Sequence, residues 1–109
     1  REGNDIYCVI PVSFTQAALG AEILISTLDN KKVKLKIPSG TQNGKILRLK
    51  NEGVPYLHYS NKRGDMYIQI RVDVPMKLSS KEQSLLKEFS TLNGENDSPD
   101  PVPLSELKQ

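Results

Sequence analysis

Cysteine, histidine and tryptophan are nearly missing from this chain of 109 residues, which has one cysteine, one histidine and no tryptophan. Cys8 alone cannot form an internal disulfide. Cys8 and His58 together cannot build a structural zinc site, which takes about four nitrogen or sulfur ligands. With one histidine and no recognisable triad or carboxylate-pair motif, the sequence gives no support for catalysis. We therefore expect no enzyme, no cofactor and no metal in these residues.

The sequence also lacks long apolar runs and a strong charge of either sign. No run approaches the ~18 residues that span a bilayer, so we expect no membrane segment. The net charge is 15 − 13 = +2, which is too small to argue for a nucleic acid or an anionic membrane as partner. The first residue is Arg1 and not methionine, so we expect a piece of a longer protein.

What is present is mostly strand-like. The segment "MYIQIRVDVP" alternates strictly, which predicts a half-buried strand, with Met66, Ile68, Ile70, Val72 and Val74 facing inward. "KKVKLKIP" predicts a second strand of the same kind. "IYCVIPV" is apolar on both faces and predicts a more buried strand, in which Pro11 indicates an edge or a bulge. "AEILISTL" and "KILRLKN" bring the number of expected strands to at least five.

Helical signals are confined to two places. "SFTQAALG", between the first two expected strands, predicts one short helical turn. After Pro75 the sequence carries a Ser79-x-x-Glu82 capping box and ends in Asn93-Gly94, which together predict one helix. The remaining "ENDSPDPVPLSELKQ" is rich in proline and polar residues and predicts an extended or disordered tail.

The expected fold is mainly β. It is a small β-sandwich-like domain with one short helix between its first strands, followed by a C-terminal helix and an extended tail. We expect the boundaries to give a β-domain over 1–75, a helix over 76–94 and a flexible tail over 95–109.

A Gly-Lys loop, Gly40-Thr-Gln-Asn-Gly44-Lys45, poses the question of a phosphate site. A P-loop requires G-x-x-x-x-G-K-[ST] between a strand and a helix. Here the glycines stand one residue too close, Ile46 replaces the serine or threonine, and the next segment alternates as a strand. We expect a turn, since glycine permits backbone conformations that other residues avoid.

Three surface features have two interpretations each. Lysines on the outward face of "KKVKLKIP", with Arg48 and Lys50 on the following strand, form either a nucleic-acid-binding stripe or a solvated sheet face. No aromatic stacking partners alternate with them, so we favour the solvated face.

The loop "VPYLHYSNKRGD" either packs on its own sheet, which we favour, or contacts a client or partner through Tyr56, Leu57 and Tyr59. The helix stripe of Leu85, Leu86, Phe89 and Leu92 either docks on its own sheet or pairs two subunits.

The order of these phrases resembles the second C-terminal β-domain of the DnaJ family of co-chaperones. The matching run begins with "REGNDIYCVIPVSFTQAALGAEILISTLDN", continues through "VKLKIPSGTQNGKILRLKNEGVP" and closes with "RGDMYIQIRVDVPMKLSSKEQSLLKEF". One departure is Asn51 in "NEGVP", where the family usually carries glycine. Asparagine is the next best residue for a left-handed backbone position.

The resemblance implies a protein that captures unfolded polypeptides and delivers them to a DnaK-type ATP-driven chaperone in protein folding and the stress response. It implies a homodimer through the C-terminal helix, with Leu85, Leu86, Phe89, Leu92 and also Leu104 as the expected interface. The J-domain and the zinc-binding cysteine module of the family are not in this sequence, because it has no His-Pro-Asp and no Cys-x-x-Cys. The implied location is a bacterial-type cytoplasm, with an organelle matrix as the alternative.

Overall fold

A computed structural model describes residues 3–57 and 59–106, with the backbone alone at 59–61. The elements in chain order are β1 (Ile6–Ser13), α1 (Phe14–Leu19), β2 (Ala21–Ser26), β3 (Lys32–Ile37), β4 (Ile46–Leu49), β5 (Pro55–Tyr56), β6 (Tyr59–Arg63), β7 (Met66–Asp73), α2 (Ser80–Asn93) and a 3-10 turn (Leu104–Glu106). The chain divides into two compact units between Val74 and Pro75. We call them the β-domain and the helical unit.

Three small sheets make up the β-domain, as the mainly β prediction required. The largest has the order β1-β7-β4, with β1 parallel and β4 antiparallel to β7. The other two are the antiparallel hairpins β2–β3 and β5–β6. The β5–β6 hairpin is a difference from the sequence analysis, which treated this segment as a loop. A strand of two residues is too short for a period-of-two pattern to predict it.

The core lies between the inward faces of the β1-β7-β4 sheet and the β2–β3 hairpin, with one residue of α1. Its apolar members alternate along each strand, which confirms the period-of-two predictions for "MYIQIRVDVP" and "KKVKLKIP". Val74 is an exception, because β7 ends at Asp73 and Val74 is exposed. The buried set is Val12, Ala17, Ile25, Leu35, Ile37, Met66, Ile68 and Ile70.

The β1 strand departs from the prediction that both its faces are buried. It is an edge strand, as Pro11 indicated, and its side chains alternate between half-buried and exposed, with Tyr7 and Val9 exposed. The reason is that, among the described strands, β1 pairs with β7 alone, and Tyr7 and Val9 on the face opposite the core are about half exposed. The sequence analysis had predicted a more buried strand, whereas within β1 only Val12 is buried.

The Gly40–Lys45 loop is a turn, as expected, and its amides are used within the fold. Gly40 and Gly44 have φ of 79° and 90°, values that glycine adopts without strain. The Gly40 amide donates to Ala17 O over 2.8 Å, and the Gly44 amide donates to Ile70 O over 2.7 Å. The loop therefore ties α1 and β7 together and leads into β4, without the helix that a phosphate cradle requires.

Both caps of α2 are those that the sequence predicted, and the helix itself runs over Ser80–Asn93, inside the expected segment 76–94. Ser79 Oγ accepts a hydrogen bond from the Glu82 amide at 3.1 Å, and Glu82 Oε1 accepts from the Ser79 amide at 2.8 Å. These bonds satisfy two amides that a helix start otherwise leaves unpaired, and they lower the pKa of the Glu82 carboxyl. Gly94 follows the last turn in the left-handed conformation, with φ of 62°.

Candidate functional site

The apolar stripe of α2 is the first candidate surface. No residue of α2 is buried. At about 100° per residue, Leu85, Phe89 and Leu92 fall within about 60° of one another on the helix, whereas Leu86 lies to one side and is half-buried. Phe89 is 48% exposed and Leu92 is 82% exposed. Leu104, in the 3-10 turn, is also exposed, so four of the five expected interface residues present their side chains to solvent.

The β5–β6 hairpin is the second candidate surface. Leu57 at its turn is 89% exposed, and Tyr56 is exposed beside it. The sequence analysis favoured packing of this loop on its own sheet, and neither side chain is buried there. His58 and the side chain of Tyr59, the third expected contact, lie outside the described residues. The base of the hairpin is anchored, because the Arg63 guanidinium donates to Gly53 O at 3.0 and 2.8 Å and to Asp29 Oδ2 at 2.6 Å.

The third surface was missed in the sequence analysis. On the face of the β1-β7-β4 sheet opposite the core, the register aligns Tyr7 with Tyr67, and their rings stack with centroids 5.1 Å apart and planes at 12°. One row further, Val9 aligns with Gln69, which in turn aligns with Ile46 of β4. Tyr7 is 52% exposed, and Val9 and Ile46 are exposed to a similar degree. We call this surface the outer sheet face.

A shallow groove of about 220 Å³ runs across the outer sheet face. Its lining is mainly apolar and aromatic, and comes from all three strands: Tyr7, Cys8, Val9, Ile46, Tyr67 and Gln69. The signal for this face was available in the sequence. Tyr67 alternates with the inward residues Met66 and Ile68, which places it on the outward side of its strand. Pro11 indicated an edge position for "IYCVIPV", and alternate residues of an edge strand are those most easily left exposed.

Charged groups border the outer sheet face, and the acids among them are held by arginines. Asp65 accepts from the Asn51 amide at 2.9 Å and from Arg48 Nε at 2.8 Å. Both contacts lower the pKa of the Asp65 carboxyl, the bond from Asn51 most strongly. Arg71 holds Asp73 at 2.9 Å and lowers its pKa in the same way. The Asp65 and Asp73 carboxyl groups are therefore ionised near neutral pH, so the apolar centre of the outer sheet face has a charged edge.

The lysine stripe considered for nucleic acid is divided in the structure. Lys32, Lys34 and Lys36 lie on β3, which pairs with β2 alone among the described strands, whereas Arg48 belongs to β4 in the other sheet. The basic stripe that was weighed as the alternative to a solvated sheet face is therefore not continuous, because β4, the strand that follows β3 in sequence, is not its neighbour in space. Arg48 is also paired with Asp65, which reduces its availability to a phosphate.

Metal and thiol chemistry have no visible site in the described part of the chain. There, no group of three or more histidine, cysteine or acidic side chains is placed to hold a metal ion. Cys8 is half-buried, and burial raises the pKa of its thiol, which disfavours the reactive thiolate. Among residues 3–57 and 59–106, no helix is both long and apolar enough to cross a membrane.

Comparison with known proteins identifies the family of the chain. A family model described as the DnaJ C terminal domain matches residues 1–75. The chain belongs to the DnaJ family. The left-handed Asn51, with φ of 63°, fits the place where the sequence analysis noted the usual glycine of this family. The chain is thus a DnaJ-type co-chaperone C-terminal region, and the nucleic-acid alternative finds no support.

Relatives cover nearly the whole chain. A protein of Treponema denticola named chaperone protein DnaJ is 54% identical over 107 residues, which are 98% of this chain and 28% of that protein. Proteins of the same name from Brevibacillus choshinensis and Ruminiclostridium cellulolyticum are 54% and 49% identical over 87% and 88% of this chain, and each is covered to 25% of its length. The chain therefore spans about a quarter of the relatives it matches.

Proposed function

We propose that this chain pairs two subunits of a DnaJ-type co-chaperone and offers apolar surface to unfolded polypeptides, which the whole protein passes to a DnaK-type ATP-driven chaperone. It acts by binding and not by catalysis, and it works in the cytoplasm, as suits a protein whose similar relatives are bacterial. The single observation that carries the proposal is the α2 stripe, in which Leu85, Phe89 and Leu92 are exposed on a helix without one buried residue.

An isolated helix of 14 residues is marginal in water, because most helix stability in proteins comes from packing an amphipathic face. Exposure of Phe89 and Leu92 leaves that stabilisation unused in a single chain. Two copies related by a two-fold axis would bring the same stripe against itself, which is the usual geometry of a homodimer. Leu104, exposed and apolar, extends the same kind of surface beyond the helix.

The outer sheet face supports client binding better than the β5–β6 hairpin does. Tyr7 and Tyr67 stand on paired strands, and their stacked rings form a flat aromatic platform. Because the rings are already ordered, binding loses little side-chain conformational entropy. Leu57, in contrast, stands on a short turn with little around it. An unfolded chain binds such a platform through any apolar side chain, so the contact is weak and of low specificity. Pairing two subunits then raises avidity through effective concentration, by ~10²-fold or more.

The pairing is tested by solution mass from light scattering over a dilution series, for this chain and for a version that ends at Pro75. We expect a dimer for the full chain and a folded monomer for the shortened one, with folding checked by circular dichroism. Two monomers at every concentration would contradict the proposal, and so would two dimers, since the pairing surface would then lie in the β-domain.

Client binding is tested with a reduced and alkylated polypeptide that cannot fold, followed by fluorescence anisotropy. The double variant Tyr7→Ser, Val9→Ser should weaken binding at least about tenfold, whereas Leu57→Ser should have a smaller effect. Lys34→Ser on the other sheet is the matched surface control. Equal binding by the double variant and the control would contradict the assignment of this face.

A further inference from the structure

The sequence contains two Asn–Gly pairs, Asn43–Gly44 and Asn93–Gly94. In such a pair the backbone nitrogen of glycine can attack the asparagine carboxamide carbon. The new C–N bond closes a succinimide ring as the glycine nitrogen loses its proton, and the C–N bond to the side-chain amide nitrogen breaks as that nitrogen gains a proton and leaves as ammonia. Water then opens the ring to aspartate or isoaspartate. Glycine favours this attack because it has no side chain to block it and a freely rotating backbone.

The first pair is held by hydrogen bonds that oppose the attack. The Gly44 nitrogen donates its proton to Ile70 O at 2.7 Å, and Asn43 Oδ1 accepts from the Val72 amide at 2.9 Å. Both the nucleophile and the group that it must reach are thus fixed to β7. Succinimide formation at Asn43 requires the loop to leave the sheet, so it costs the free energy of a local opening.

The second pair is in the opposite situation. Asn93 is the last residue of α2 and is exposed, and its carboxamide makes no hydrogen bond within the described ranges. Gly94 is in the left-handed conformation, and a Cβ placed on it would meet no atom within 4 Å. Terminal turns of helices fray at almost no cost in free energy, which lets the Gly94 nitrogen sample the approach to the side chain.

We propose that Asn93 is a site of spontaneous deamidation, for which water is the only co-reactant, and that Asn43 is protected by the fold. The product places a new carboxylate at the C-terminal end of α2, where the helix dipole is negative. Glu95 lies two residues further on and adds like charge. The isoaspartate form also lengthens the backbone by one carbon. The reaction therefore loosens the turn that carries Leu92. An effect of this loosening on subunit pairing rests on the proposed function, whereas the deamidation of Asn93 is independent of it.

The test is peptide mapping by mass spectrometry after incubation of the whole chain in mildly alkaline buffer, with isoaspartate detected by enzymatic methyl transfer. We expect conversion at Asn93 to exceed that at Asn43 at least about tenfold, since each 1.4 kcal/mol of opening cost slows the protected site about tenfold. In denaturant the two rates should converge. Equal rates in the native chain, or faster conversion at Asn43, would overturn the proposal, and the result does not depend on whether the chain dimerises.

The structural consequence has its own measurement. Asn93→Asp introduces the charge alone, and Asn93→Gln keeps the amide while disfavouring the five-membered ring. We expect faster hydrogen exchange of the amides in the last turn of α2 for Asn93→Asp than for Asn93→Gln. Identical exchange in the two variants would refute the proposed loosening by charge.

Discussion

In the β-domain, alternate residues of the strands form a core in which Ile68 and Ile70 have no exposed surface, whereas the helical unit contains an apolar stripe and no buried residue in α2. The two units thus place residues of the same kind in opposite environments. A core of this kind stabilises a fold within one chain. A stripe left exposed stabilises the helix only when another surface covers it, and this difference supports the proposal that the helical unit is the part that associates.

The largest expected effect is on the β-domain. Ile68→Ala removes a side chain with 0% exposure and should cost about 3–4 kcal/mol of unfolding free energy, through lost transfer energy and a residual cavity. Ile46→Ala is the matched control in the same sheet, since Ile46 is 54% exposed and should cost about 1 kcal/mol or less. Urea titration of the two variants measures the difference. Similar midpoints would mean that the core is not where the structure places it.

A smaller effect is expected at the pairing surface that we propose for the helical unit. Phe89→Ala should weaken the dimer roughly 30-fold, about 2 kcal/mol, as is usual for a central aromatic in an interface. Gln83→Ala, about half a helical turn from the stripe, should leave the dimer unchanged. Sedimentation equilibrium measures both, and the unfolding of the β-domain should not change in either. A loss of β-domain stability in Phe89→Ala would instead indicate that the stripe serves the fold.

The sequence predicted most of the fold because its signals are local. The period of two placed Ile68 and Leu35 inward, the capping box located the start of α2, and the chemistry of a left-handed position explained Asn51. Each of these patterns involves residues a few positions apart. The order of strands in the sheets was not predicted, since β1 and β7 stand at opposite ends of the β-domain sequence and pair in parallel.

The candidate site was predicted less completely for the same reason. The outer sheet face exists only because the register brings Tyr7 beside Tyr67 and Val9 near Ile46, and no local pattern contains that register. The lysine stripe, which was weighed only as an alternative, is divided for the same reason, because β3 and β4 follow each other in sequence but lie in different sheets. The stripe of α2, in contrast, lies on one helix and was predicted from spacing alone.

A helix that lacks a core of its own should depend strongly on its caps. Ser79→Ala removes the acceptor of the Glu82 amide and should cost about 1 kcal/mol of helix stability. Ser84→Ala, in the middle of α2, should not weaken the helix, since alanine is the better helix former. Hydrogen exchange at the first turn of α2 distinguishes the two. Unchanged exchange in Ser79→Ala would mean that the partner surface, and not the cap, holds the helix in place.

The smallest expected effect is on the pH dependence of stability in acid, which we expect to differ between the β-domain and the helical unit. The pKa of Asp65 is lowered by the Asn51 amide and by Arg48. The stability that Asp65 contributes is therefore fully present above the ordinary pKa of aspartate, about 3.9, and is lost as the pH falls through the lowered pKa. In Asp65→Asn the β-domain should be less stable at neutral pH, and its stability should fall less steeply in acid. Asp100→Asn, in the tail, removes the same charge as a control. An acid dependence as steep as that of the original chain would assign the effect to other carboxyl groups.

The pKa of Glu82 is also lowered, so acid should weaken α2 independently of Asp65. The circular dichroism of the helix should therefore change with pH in the same way in Asp65→Asn and in the original chain.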